Sequence, residues 1–306
     1  MRMKRRNAIP LIPILCLLLS VLVASSCHRR GAIGPEIRVA TWNTCWFPSG
    51  RPNPQLADVE YERIAVAARE IRRAEPDIVC LQEIRDLTTV ETLCRLTEIP
   101  DLRVAACSEF PGPENVAGSQ QNVILTRLPV IEAGFKRWTS AGFVDPPRGY
   151  TYALLQSPKG IIAVFCVHLK SNYIPKGADI EQQTTLNRLK RELASEQVRA
   201  KAKELMGRSP TPIRRVIIAG DFNTSLYDSR WSEEDTLRAF LREGYAMCFA
   251  DIPSTKIHTL AATPIYPPVT FDYIWHIGFS AQRRPRVHPF RHISDHAMVS
   301  LSLEMR

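Results

Sequence analysis

Two hydrophobic rhythms alternate along the chain after residue 36. Runs that are apolar throughout, or apolar at every second position, predict β-strands over 37–43, 77–83, 122–126, 161–169, 217–220, 269–275 and 297–303. Between them the period lengthens to that of a helix. Ile64, Ala67, Ala68 and Ile71 share one face of a helix that begins near Val59 and stops ahead of Pro76, and 88–96 reads as another. Asp179 and Gln182 form a helix-start pair ahead of Leu186, Leu189 and Leu193, with Gly207 as the stop and charged residues as a solvated outer face. Ser232-Glu233-Glu234-Asp235 reads as a capping box for a helix through Leu237, Phe240 and Leu241 to Gly244. Proline and glycine mark loops at 48–54, 109–121 and 253–268. The stretch 135–150 has few regular signals. It mixes Lys136, Arg137 and Arg148 with Trp138 and Tyr150, a combination that either grips phosphates and stacks on bases or simply anchors a loop.

No repeat, low-complexity tract or change of composition interrupts 36–306, so that span is read as one domain. In a chain of 306 residues, 45% hydrophobic and 23% charged is the composition of a globular protein and excludes disordered and fibrous classes. The formal net charge is +9, of which Arg2, Lys4, Arg5 and Arg6 supply four, leaving about +5. Such a balance suits an anionic substrate or surface, without being a dense basic arm.

The N-terminus has the three-part layout of an export signal: a charged 1–6, an apolar 8–24 and the small Ser25-Ser26 before Cys27. Pro10, Pro13 and the short apolar run argue against a permanent membrane span. Ala24-Ser25-Ser26-Cys27 resembles a bacterial lipoprotein box, so 1–27 is read as a signal peptide ending in an acylated Cys27, followed by a polar tether over 28–35. Ordinary cleavage after Ser26, giving a periplasmic or secreted protein, is the alternative. Six cysteines remain in the body. Cys80 and Cys166 lie in apolar runs, where a thiol acts as a small hydrophobe, while a Cys94 to Cys107 bridge is left open.

The chemistry sits where strands end. Asn43, Glu83, His168 and Asp221 with Asn223 each follow an apolar run, Asp272 interrupts one opposite a wall of aromatics, and Asp295-His296 precedes the last. Each has a plain alternative: Asp221 and Asn223 as an Asx turn, His168 as a satisfied core histidine. Together, however, Glu83, Asp221, Asp272 and Asp295 would place four acids in one region. Their mutual repulsion calls for a cation, and all-oxygen donors suit Mg²⁺ or Mn²⁺ better than Zn²⁺.

The ordered motifs Ala40-Thr41-Trp42-Asn43, Leu81-Gln82-Glu83, Val167-His168-Leu169, Gly220-Asp221-Phe222-Asn223, Phe271-Asp272-Tyr273 and Ser294-Asp295-His296 resemble the endonuclease/exonuclease/phosphatase family over 36–306. The resemblance implies an α+β fold, a four-layer sandwich of two mainly antiparallel or mixed β-sheets with helices outside. It implies Glu83 as the main metal ligand, supported by Asn43 and Asp295. His296 is then the base, oriented by Asp272, Asp221 positions the water, and Asn223 and His168 donate to phosphoryl oxygens. The implied reaction is direct in-line hydrolysis without a covalent enzyme intermediate. Two departures from the family pattern, Gln120-Gln121 and Lys170-Ser171-Asn172, bear on substrate. The expected function is an exported, monomeric, metal-dependent phosphodiesterase, a nuclease acting on DNA or RNA. The alternatives are a phosphatase or phospholipase-like hydrolase of phosphoinositide or sphingomyelin type, and a non-catalytic membrane-tethered binding module.

Overall fold

The computed structural model describes residues 33–112, 120–207, 212–262, 267–289 and 292–305. The leader, Cys27 and the tether as far as Ala32 lie outside the described residues. No described helix is long and apolar enough to cross a membrane.

The strand-forming runs pair into two sheets. The first is built on β1 (Glu36–Phe47), which lies parallel to β2 (Ile78–Ile84) and antiparallel to the last strand, β13 (Val299–Glu304). β4 (Gln121–Thr126) and β3 (Arg103–Cys107) extend it beyond β2, and the short β11 (Ala281–Gln282) and β12 (Arg286–Val287) pair with β13. The second sheet runs β5 (Val130–Arg137), β6 (Gly149–Ser157), β7 (Gly160–His168), β8 (Arg215–Asp221), β10 (Asp272–Ile277) and β9 (Ala246–Met247). Only β1/β2 and β7/β8 are parallel; the sheets are otherwise antiparallel. Buried faces of the two sheets share one core, in which Val39, Cys80 and Ile124 of the first sheet join Val164, Cys166 and Ile218 of the second. The expected α+β sandwich of mixed sheets with helices outside is the fold observed.

Helices α1 (Ala57–Ala74) and α2 (Leu87–Thr97) cover the outer face of the first sheet through Ile64, Ala67, Ala68, Ile71, Val90 and Leu93. The second sheet is covered by α3 (Ile180–Met206), whose N-cap Asp179 accepts from Gln182 N as the sequence pattern indicated. Its charged face is not wholly solvated. Arg191 is buried and makes a two-point ion pair with buried Glu234, Nε to Oε1 at 2.8 Å and Nη2 to Oε2 at 2.6 Å.

That ion pair explains one correction. Ser232 does not cap a helix: 229–231 form a 3₁₀ turn, and α4 (Arg238–Arg242) starts later, without a side-chain cap. Arg191 draws Glu234 into the interior, and Asp235, the residue that would complete the box, pairs with Arg242 instead. Further corrections concern strands without a periodic signal. The quiet stretch at 135–150 is in fact the end of β5, a loop and the start of β6, and β3 passed unnoticed. The strand placed at 269–275 begins only at Asp272, with Val269 in an isolated bridge to Leu260. The six described cysteines are free thiols, Cys94 and Cys107 included.

Breaking the Arg191 to Glu234 pair from one side leaves an uncompensated charge in the core. Glu234→Gln is expected to cost about 3–5 kcal/mol in urea unfolding, whereas the double change Arg191→Met with Glu234→Leu restores most of the loss.

Candidate active site

One end of the sandwich collects the strand termini. β1 and β2 run parallel and deliver Asn43 and Glu83; β7 and β8 run parallel and deliver His168 opposite Asp221; β10 starts at that same end, with Asp272 paired to Asp221 across the ladder. The backbone is bent to reach this arrangement. A bulge interrupts the β1/β2 register between Asn43 and Phe47, and Cys45, Trp46, Glu83 and Asn223 all adopt positive φ. For residues with side chains such conformations are costly and cluster where a site dictates them. Gly220 is required for the close approach of β7 and β8. At its φ of 153°, a Cβ would lie 1.9 Å from Val167 O.

Asn43 links the two sheets. Its Nδ2 donates to Asp221 Oδ2 at 2.9 Å and to Glu83 Oε1 at 3.2 Å, while its Oδ1 accepts from Cys45 N. Glu83 also accepts from Trp46 N through Oε2 at 2.8 Å, which is what the bulge achieves. His168 Nε2 stands 3.7 Å from Glu83 Oε1 and 3.6 Å from Asp221 Oδ2. Burial, then Arg148 and His296, hold its imidazole well below the usual histidine range, and its Nδ1 has no partner among the described residues. Asn223 serves Asp221 twice, through its backbone N at 2.8 Å and its Nδ2 at 3.1 Å, and donates to Leu169 O.

His296 Nδ1 lies 2.8 Å from Asp272 Oδ2, and its Nε2 3.8 Å from Asp221 Oδ2. Burial works against a charge on this ring, but Asp272 and Asp221 outweigh it and push the imidazole up to about 10. Asp221 is lifted by burial, lowered by His296 and raised again by Asp272, reaching about 7. Asp272 Oδ1 is buried without a partner among the described residues. The loop carrying His296 is fastened on several sides: Ser294 Oγ donates to Asn43 O, Trp42 Nε1 donates to His296 O, and Arg63 of α1 donates to the carbonyls of Pro48, His292 and Ile293.

Three of the four acids converge. Asp295 is the exception, exposed at the rim beside Cys45, whose thiol is pushed up by burial and by Asp295. The basic and aromatic residues at 136–150 also divide. Trp138 and Tyr150 are core residues with ring centroids 5.2 Å apart, so they are not a stacking platform. Arg148 reaches under the site, donating to Gln120 Oε1 and to the carbonyls of His168 and Leu169. Arg63 and Thr259, whose Oγ1 accepts from the backbone of Phe271 and Asp272, had no sequence signal. Asn172, which holds Asn223 O at 2.8 Å, stood in the polar trio after His168.

A divalent cation fits this chemistry. Asp221 and Asp272 are almost wholly buried and Glu83 is partly so, and none is ion-paired with lysine or arginine among the described residues. Buried carboxylates in this state need a cation or a proton. Asp221, Asp272 and His296 each offer a ligand atom within 4.8 Å of the others.

In the metal-free protein these shifts fix the sign of one pH effect. His296 rises from 6.5 to about 10 on folding, so its contribution is complete below pH 6.5 and lost by pH 10; Asp221, raised from 3.8 to about 7, likewise favours the folded state below neutrality. With chelator present, the melting temperature is expected to fall between pH 6.5 and 10, and to fall less in His296→Ala.

Comparison with known proteins matches residues 40–296 to the Endonuclease/Exonuclease/phosphatase family. No curated protein matches the chain. Similar solved structures include an endonuclease/exonuclease/phosphatase from Beutenbergia cavernae (18% identity, TM-score 0.63, 88% of this chain and 72% of that one). Truncated TDP2 of Caenorhabditis elegans (14%, 0.61, 88% and 97%) and sphingomyelinase C of Streptomyces griseocarneus (17%, 0.56, 88% and 99%) share the fold as well. At these identities the likeness is one of fold. With the matched family spanning most of the chain and a buried cluster of acids and histidine suited to a divalent ion at its expected end, the protein belongs to the Endonuclease/Exonuclease/phosphatase family and carries the site of a metal-binding hydrolase.

Proposed function

We propose that this protein is an exported phosphodiesterase dependent on Mg²⁺ or Mn²⁺, that its substrate is DNA or RNA, and that Cys27 anchors it to a membrane. The observation that carries the catalytic reading is the 2.8 Å contact between Asp272 and His296 beside Asp221. Asp272 fixes the ring by its Nδ1, leaving Nε2 facing the cleft near Asp221. A water held by Asp221 then has a proton acceptor in line with it once His296 is neutral. His168, whose Nε2 lies 3.6 Å from the nearest carboxylate oxygen, would donate to a phosphoryl oxygen as charge develops, while Asn223, expected to do the same, spends its donors on Asp221 and Leu169 O and so holds Asp221. Glu83, with Asp295 from the rim, would hold the metal, which when bound would neutralise charge on the phosphoryl group, and Asn43 would support that site without ligating. In the hydrogen bonds observed Asn43 turns its nitrogen to the carboxylates, so its part is to fix Glu83 and Asp221 relative to one another.

The nucleic-acid reading is supported by the net positive charge and by exposed aromatics at the catalytic end. Phe143, in the loop between β5 and β6, is 80% exposed, and Tyr173, five residues after His168, is 68% exposed. These are stacking surfaces for bases in a single strand. The same exposure favours a second reading, in which the two rings meet a lipid whose head group is hydrolysed, as in a phospholipase of sphingomyelin or phosphoinositide type.

Hydrolysis of a labelled DNA and RNA panel beside sphingomyelin and a phosphoinositide, with Mg²⁺ and with chelator, separates these. Metal-dependent cutting of nucleic acid is expected; turnover of lipid alone overturns the substrate. Asp272→Asn and His296→Ala are each expected to lower kcat about 10²–10⁴-fold with the fold intact by circular dichroism, and near-normal rates in His296→Ala would remove it as base. Glu83→Gln is expected to raise the Mg²⁺ concentration needed for half-maximal rate.

A further inference from the structure

The end of the sandwich opposite the cleft, where β1 begins, is lined with arginine. Arg38, Arg73, Arg283, Arg284 and Arg286 border a cavity of about 290 Å³ in which Glu75 is the one carboxylate. Arg38 is paired with Glu75, Arg73 with Glu70 and Arg283 with Glu36. Arg284 and Arg286 are exposed and have no ion pair among the described residues. The second sheet adds charge to this end. Lys159, in the turn from β6 to β7, and Arg214, just before β8, are also exposed, and neither is ion-paired among the described residues.

We infer that this arginine-rich end docks on an anionic phospholipid surface, so that the catalytic cleft faces the aqueous phase. The inference rests on the proposed anchoring at Cys27 and goes on to decide the substrate class. Charge complementarity is the first argument. Exposed cations near an anionic leaflet are attracted to it within a Debye length, and four of those at this end are unpaired.

The second argument is reach. Only residues 28–32 separate Cys27 from Ile33, so a lipid on Cys27 would keep Ile33 within roughly 20 Å of the bilayer. Ile33 packs against the core and leads directly into β1 at Glu36, so this end of the domain is the one brought to the membrane. Asn43 lies seven residues further along an extended strand, roughly 23 Å beyond Glu36. To press the cleft on the anchoring leaflet, the domain would have to lift Ile33 by more than the tether spans. The site therefore draws its phosphodiester from solution, which favours nucleic acid over the head groups of the bilayer that holds the protein. Phe143 and Tyr173 then stack on substrate instead of entering that bilayer.

The test uses residues 33–306, the compact unit that contains both sheets and the whole core. Its partition is measured onto vesicles of phosphatidylcholine alone and of phosphatidylcholine with one-third phosphatidylglycerol, at low and high salt. Binding to the anionic vesicles, weakened by salt and absent from neutral ones, is expected. Each basic residue near such a surface contributes roughly fivefold, so Arg284→Glu with Arg286→Glu should lower partition at least tenfold. Hydrolysis of bis(p-nitrophenyl) phosphate by that variant should be unchanged, which also reports its folding, and Lys159→Glu with Arg214→Glu provides an independent pair. Equal partition onto both vesicles, or undiminished partition of both variants, overturns the docking face. Loss of oligonucleotide binding in place of vesicle binding overturns it too, in favour of a nucleic-acid surface. Vesicle binding requires neither catalysis nor acylation, and the intact mass of the full chain recovered from membranes reports acylation of Cys27 separately, so failure of docking is not confused with failure of the anchored-hydrolase reading.

Discussion

Asp221 and Asp272 are cross-strand neighbours on adjacent strands of the second sheet, both buried. Like charges opposite one another in a ladder destabilise it, and burial adds a larger penalty. The arrangement holds because His296 enters from the other sheet's last segment and offers a ring to both acids. Asn43 does the same with a single amide for Asp221 and Glu83. The two His296 contacts and the Asn43 bond to Asp221 cross from one sheet to the other, so the polar site is also part of what fixes the two sheets relative to one another.

Much of the local backbone follows from that constraint. Glu83 would follow Leu81 and Gln82 in regular pleat, but its positive φ and the bulge in β1 turn its carboxylate onto Trp46 N. Asn223 adopts the left-handed region so that its own N–H and amide both reach Asp221. Gly220 has no Cβ because β7 passes too close. A chain bent at so many points is held by groups remote from the chemistry. Arg63 ties the outer helix to three carbonyls of two loops, and Arg148 supports the carbonyls of His168 and Leu169 from below.

How much of this was legible depends on whether burial left a period behind. β2, β7 and β8 are apolar on both faces and were visible as runs, as was α1 with its single apolar stripe. The site residues were visible for the same reason: Glu83, His168 and Asp221 are polar groups that end apolar runs. β5 was not, because it is an edge strand whose Val130, Ile131 and Phe135 face outward among Glu132, Lys136 and Arg137. Arg191 and Glu234 were misread because two charges that find each other are indistinguishable in sequence from two that find water. At Trp138 the sequence left two readings open, and the second of them holds. An aromatic between bases is a platform or a core anchor according to where β6 puts Tyr150 beside it.

With Trp138 in the core, a preference for nucleic acid cannot come from that ring. The fold is shared with solved structures as different as TDP2 and sphingomyelinase C, so the fold does not by itself name a substrate. What differs from one chain to another is what surrounds the cleft and how the whole domain is presented to its substrate. Here the cleft lies at the end of β1 away from the described N-terminal entry, with exposed rings on loops at that same end and paired and unpaired arginines at the far end. Selectivity of this kind is a matter of orientation. A hydrolase able to cleave a lipid head group does not do so if its tether holds the catalytic end out of reach of the bilayer, and the same tether leaves a polymer in solution free to enter.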